Sequence, residues 1–165
     1  DPGFSCTGFA ILKKEGGKIS LLELGALKMK SSDSLPSRIK QFYDFIGEKI
    51  AQYKITDIAL ETSFLGKNAQ NFLKLGYLRG ALYLLSAQNA LNLYEFAPSE
   101  VKLAVTGFGG ADKDQVARVV LRLFSGVKMP EKLDTTDALA IALCAAWRAP
   151  KPENIKNNLI NKPPH

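Results

Sequence analysis

Apolar residues crowd positions 9–14 and 19–30 of the chain, and Glu15, Gly16 and Gly17 stand between the two stretches. Paired glycines at such a point permit a tight turn, so the segment reads as a hairpin of antiparallel strands. The period then changes. Leu35, Ile39, Phe42, Ile46, Ile50 and Tyr53 recur at helical spacing behind Ser34, a good N-cap, and Pro36 in the first turn, which predicts an amphipathic helix. A short apolar run at 55–60 reads as a strand ending on Glu61. Beyond it the pattern predicts a long helix over about 68–89, a strand over 91–96 and helices over 98–105 and 112–124. Asp112 and Gln115 open the last of these in capping-box form. A final apolar helix runs over 134–147.

A hairpin followed by alternating strands and helices predicts an α/β fold, a mixed sheet covered by helices. Asp1, Pro2 and Gly3 look like a strand-to-turn exit, so an apolar strand is expected ahead of Asp1, giving three antiparallel neighbours at the start of the sheet. The ordered domain is expected over 1–148. Residues 149–165, rich in Pro, Asn and Lys, are expected to form a disordered tail.

At 165 residues one core suffices, with roughly 70% of the unfolded surface buried and no need of disulfides. Lys and Arg exceed Asp and Glu by 22 to 16, a net charge of +6. Several of the acids fall at element ends, so a basic rim around an acidic cleft is one reading, suited to a polyanion; an ordinary basic exterior is the other. Cys6 and Cys144 are far apart in sequence and read as reduced thiols of a cytoplasmic protein. No apolar stretch is long enough for a membrane span.

Four acids stand where the chain changes element type: Asp1, Glu61, and Asp134 with Asp137 at the head of the last helix. Carboxylates gathered at one point repel by roughly 4 kcal/mol per pair at about 4 Å and an effective dielectric near 20. A cation between them would resolve this. The single histidine is His165, so the natural occupants are oxygen-seeking ions, Mg²⁺ or Mn²⁺. Each acid also has an ordinary explanation. Asp1 fits a plain turn or the phosphate hairpin of actin-like kinases. Glu61 fits a solvated strand end, and Asp134 and Asp137 fit an N-cap and its third residue. The helix behind them is apolar nearly all round, so its amino end must face a cleft or a partner.

Phe64, in a Ser-Phe-Leu-Gly loop, is either a core anchor or an exposed ring able to stack on a base. Gly76 and Gly80 leave a small-residue patch on the long helix, with Lys74 and Arg79 nearby, which allows close helix packing within the chain or across a dimer. Gly107, Gly109 and Gly110 precede Lys113 without the Gly-Lys-Ser/Thr ending of a phosphate loop.

DPGFSCTGFAIL, ALETSFLGKNAQNFLKLGYLRGAL, EFAPSEVKLAVTGFGGADKDQV and LDTTDALAIAL, in that order and spacing, resemble the RuvC family of Holliday-junction resolvases. The similarity runs from Asp1 to about Ala145. It implies a ribonuclease-H-like fold, a homodimer acting on four-way DNA junctions, and a metal site of four acids that fall here at Asp1, Glu61, Asp134 and Asp137. It further implies Phe64 as a DNA-contacting aromatic, Lys102 and Lys113 near the scissile phosphate, and a branch-migration motor as a further partner. The implied chemistry is two-metal phosphodiester hydrolysis. Competing readings are a ribonuclease-H-like nuclease acting on RNA or on ordinary duplex, an actin-like phosphotransferase, and a junction binder without catalysis.

Overall fold

The computed structural model describes residues 1–62, 69–124 and 134–148. Strands β1 (Cys6–Glu15) and β2 (Lys18–Lys28) form the expected antiparallel hairpin. Its two-residue turn works because Gly16 and Gly17 adopt φ of 56° and 84°, a conformation costly for any residue with a Cβ. The register slips between Ile11 and Leu12, so that Leu22 has no partner in the ladder and stands exposed; such a bulge bends and twists a hairpin.

Helix α1 (Leu35–Tyr53) starts where Ser34 accepts the Ser37 N–H and ends on Lys54 in the left-handed region. Strand β3 (Asp57–Glu61) is linked through helix α2 (Ala69–Gln88) to strand β4 (Asn92–Phe96), which lies parallel to it. Helices α3 (Pro98–Thr106), α4 (Lys113–Leu123) and α5 (Asp134–Arg148) complete the described chain. The capping box at the head of α4 is formed, with Gln115 N–H on Asp112 Oδ1 at 2.7 Å and Asp112 N–H on Gln115 Oε1 at 2.9 Å.

Two apolar cores lie on opposite faces of the strands. One gathers Phe42 from α1, Leu78, Ala81 and Leu82 from α2, and Leu60 of β3. The other packs Leu139, Ile141, Leu143 and Cys144 of α5 against Val101 and Val105 of α3 and Val116 and Val120 of α4. The apolar circumference of α5 is thus explained, since residues 138–141 and 143–145 are all buried.

Among the described residues the strands form two separate pairs, β1 with β2 and β3 with β4. A cavity of about 860 Å³ lies between the pairs, bordered by residues 7–12 on one side and 55–60 on the other, with Phe42, Ile46 and Leu82 on one wall and Ala138 and Ala142 on the opposite wall. Asp1 sits at its border. Its N–H donates to the Gly8 carbonyl and its carbonyl accepts the Gly8 N–H, both at 3.1 Å. That reciprocal exchange is the bonding of an antiparallel strand pair.

Candidate active site

Asp1 is placed by the turn that follows it. Thr7, buried, donates its hydroxyl to the Gly3 carbonyl at 2.9 Å and accepts the Gly3 N–H at 3.2 Å. Gly3 must be glycine, because a Cβ there would lie 2.3 Å from the Cys6 carbonyl oxygen. From α1, Arg38 donates to the Phe4 carbonyl and lies over the Phe4 ring at 4.9 Å. The turn therefore rests against a helix as well as a strand.

Glu61 closes β3, opposite Phe96 in the parallel register. The Thr62 N–H continues the ladder by one bond, to the Phe96 carbonyl at 2.8 Å. Asp137 lies in the first turn of α5 with a side chain 21% exposed, and its carboxylate reaches out of its own helix to Lys113, the first residue of α4, at 2.7 Å. Asp134 is the first residue of α5. Lys102 lies within α3.

These groups share one electrostatic field. Burial, and after it the negative charge of Asp137, push the Glu61 carboxyl above its ordinary range; Lys113 and Lys102 pull it back. Charged groups from α3, α4 and α5 thus act on one carboxylate at the end of β3, and the net effect is to raise its pKa. The sequence singled out the acids by their places at element ends, and the two lysines entered through the family resemblance. The pairing of Lys113 with Asp137 was not legible, since it joins residues 24 apart across two helices.

Among the described residues, which leave out the Asp134 side chain, no three His, Cys, Asp or Glu side chains gather closely enough to hold a metal ion. Lys113 supplies Asp137 with the positive charge that such an ion would otherwise provide. Phe64 lies outside the described residues. Gly76 and Gly80 are exposed, and a Cβ on either would meet nothing within 4 Å among the described residues, so close packing against those residues is not what their lack of side chains serves. Both cysteines are free thiols, Cys144 buried and its pKa raised by that burial. No helix among the described residues is long and apolar enough to cross a membrane.

The raised pKa of Glu61 has a thermodynamic consequence. A carboxyl that holds its proton more tightly when folded loses stability as pH rises from the unfolded carboxylate range, about 4.3, through the folded value. Glu61→Gln, measured by thermal melting without divalent ions, is therefore expected to melt higher than the parent at pH 7. Each kcal/mol relieved raises the midpoint by roughly 2–4 °C. The advantage should vanish at pH below the unfolded range. A lower midpoint at pH 7 would mean that the Glu61 charge is well compensated.

Residues 1–145 match the family model described as crossover junction endodeoxyribonuclease RuvC. The crossover junction endodeoxyribonuclease RuvC of Pelodictyon phaeoclathratiforme is 42% identical over 157 residues, covering 95% of this chain and 82% of that protein. Among solved structures, Thermus thermophilus RuvC superposes with a TM-score of 0.81 at 26% identity, over 90% of this chain and 91% of that one. T. thermophilus RuvC in complex with a Holliday junction substrate has a TM-score of 0.80 at 24% identity, covering 90% of each chain; at that identity the likeness speaks for the fold, a ribonuclease-H-like α/β architecture.

Proposed function

Because the chain belongs to the RuvC family of crossover junction endodeoxyribonucleases, we propose that Asp1, Glu61, Asp134 and Asp137 form the catalytic centre of a Holliday-junction resolvase of DNA recombination and repair. The observation that carries the reading is that Glu61 at the end of β3 and Asp137 in the first turn of α5, itself paired with Lys113 of α4 at 2.7 Å, lie close enough for the Asp137 charge to oppose ionisation of Glu61. Metal dependence is a family property; Mg²⁺ or Mn²⁺, two ions per site, is the assignment that the all-carboxylate donor set favours. Such ions supply Lewis-acid charge at the scissile phosphate and a water of lowered pKa. The chain's own residues do the placing. Asp1 and Glu61 present carboxylates from strand ends, Asp134 and Asp137 from the first turn of α5, and Lys113 and Lys102 draw the phosphate toward them. We place the enzyme in the cytoplasm.

The test is a comparison of substrates. Purified protein with Mg²⁺ should nick a synthetic four-way junction at two symmetric positions and leave linear duplex and an RNA–DNA hybrid largely intact. Preferential cleavage of the hybrid would move the activity to RNA.

Phosphate contacts by the lysines have their own signature. Lys102→Ala should weaken junction binding and reduce the slope of log affinity against log salt by about one, the share of one lost contact. An unchanged slope removes Lys102 from the DNA surface. For Phe64 we keep the stacking role, worth about 1–3 kcal/mol in the complex.

Paired nicks require two sites, and the exposed face of α2 favours a homodimer. Gly76 and Gly80 are bare, while Leu73, Tyr77 and Leu84 expose large apolar side chains beside them. Tyr77, Gly80 and Leu84 also line an apolar cavity of about 540 Å³ with Leu35 and Ile39 of α1. A second copy of α2 would cover that surface. A Cβ at Gly80 meets no described atom within 4 Å, so Gly80→Leu should sediment as a folded monomer that binds DNA but no longer makes paired nicks. A dimer in sedimentation would exclude this face.

We further propose that the slot between β1 and β3 is the seat of an extended strand leading into Asp1, which would join the two strand pairs into one mixed sheet. The Asp1–Gly8 exchange supports it by fixing direction and register against β1, antiparallel.

A further inference from the structure

Arg79 lies on α2 with its side chain 12% exposed. Its Nη1 donates to the backbone carbonyl of Glu61 at 2.7 Å. Its Nη2 pairs with the Glu95 carboxylate and reaches the Tyr83 hydroxyl at 3.2 Å. Tyr83 in turn donates to the same Glu95 oxygen at 2.8 Å. Glu95 belongs to β4 and stands beside Leu60 in the register. One planar guanidinium therefore spans the last carbonyl of β3, the neighbouring strand and its own helix.

Docking of α2 does not account for this cluster, because Leu78, Ala81, Leu82 and Leu85 already bury the apolar face of the helix. Nor does the ion pair account for it as a stabiliser, since Glu95 is exposed and a pair open to solvent contributes little. What the arrangement supplies is direction. The ladder between β3 and β4 runs out at the Thr62 N–H, so Glu61 lies at the end of strand bonding. Arg79 grips that residue from outside the sheet.

We propose that Arg79, backed by Glu95 and Tyr83, is a positioning residue that aims the Glu61 carboxylate into the metal site. The inference rests on the assignment of Glu61 as a metal ligand. A guanidinium suits the place because its fork of donors can meet three acceptors at once, which an ammonium on a flexible stem does less well. Residues that orient metal ligands typically influence metal affinity or activity by about 10–100-fold.

The experiment titrates Mn²⁺ into junction-free protein by calorimetry and compares kcat, KM, metal-free junction binding and the thermal midpoint. Arg79→Lys should lose about tenfold or more in Mn²⁺ affinity, with kcat reduced, KM for the junction and metal-free junction binding near the parent's, and the loss not rescued by the retained charge. Tyr83→Phe, which removes one hydroxyl and spares the fold, should shift affinity in the same direction by a smaller factor. A purely structural role would lower the midpoint and leave the Mn²⁺ affinity of the folded protein unchanged, which overturns the proposal. So does full rescue by lysine. Glu61→Gln is the control: if it binds Mn²⁺ like the parent, the ligand assignment itself fails; if it does not, the two neighbouring variants decide the role of Arg79 alone.

Discussion

Asp1→Asn, Glu61→Gln and Asp137→Asn are each expected to abolish Mg²⁺-dependent cleavage while retaining junction binding. The reason is charge rather than shape. A neutral amide has nearly the volume of a carboxylate but cannot balance a divalent ion, and the stabilisation lost in the transition state is several kcal/mol, roughly a thousandfold or more in rate. The three substitutions differ in their side effects. Glu61→Gln relieves a carboxylate that burial and Asp137 already disfavour, so its protein should be more stable than the parent in metal-free buffer. Asp137→Asn removes the carboxylate that Lys113 pairs with, so one negative charge fewer opposes the DNA backbone and junction binding should tighten slightly. Gel-shift titration in EDTA beside single-turnover cleavage in Mg²⁺ separates the two effects. Cleavage within tenfold of the parent for any of the three would remove that acid from the catalytic set.

The second large effect concerns stability. If an extended segment fills the slot between β1 and β3, lengthening the chain ahead of Asp1 by six apolar, β-branched residues should raise the thermal midpoint by on the order of 10 °C. Each apolar side chain buried between two helical layers returns about 2 kcal/mol, and ordering each residue costs about 1.5 kcal/mol. The net gain is a few kcal/mol. The same extension carrying a proline in its centre should return little of it, because proline cannot donate within a ladder. Equal midpoints for the apolar and proline forms would show that the cavity does not accept a strand.

How much of this was legible in the sequence follows from the range of the interactions. The hairpin turn depends on two adjacent glycines and the capping box of α4 on residues three apart, so both could be read locally. So could the burial of α5, whose residues carry their own apolar signature. The acids could be named because each stands where one element ends. Which groups meet could not be read locally. Lys113 and Asp137 come from different helices, and Arg79 drew notice in the sequence only as a charge near two glycines, whereas its partners lie 18 residues before it and 16 after. Gly76 and Gly80 left internal packing and dimerisation equally open until their surroundings showed open space. Phe64 and the residues after 148 lie outside the described residues, so the stacking ring and the disordered tail stand as read from the sequence.

Asp134 gives the most direct measurement of the central claim, because its ordinary explanation is strong. It opens α5, and asparagine serves a helix amino end about as well as aspartate does. Asp134→Asn should therefore keep its thermal midpoint within about 2 °C of the parent, a change under 1 kcal/mol, and lose Mg²⁺-dependent junction cleavage, both measured in one buffer. A fully active Asp134→Asn protein would reduce the Asp-Thr-Thr-Asp segment to a helix start and contradict the four-carboxylate site.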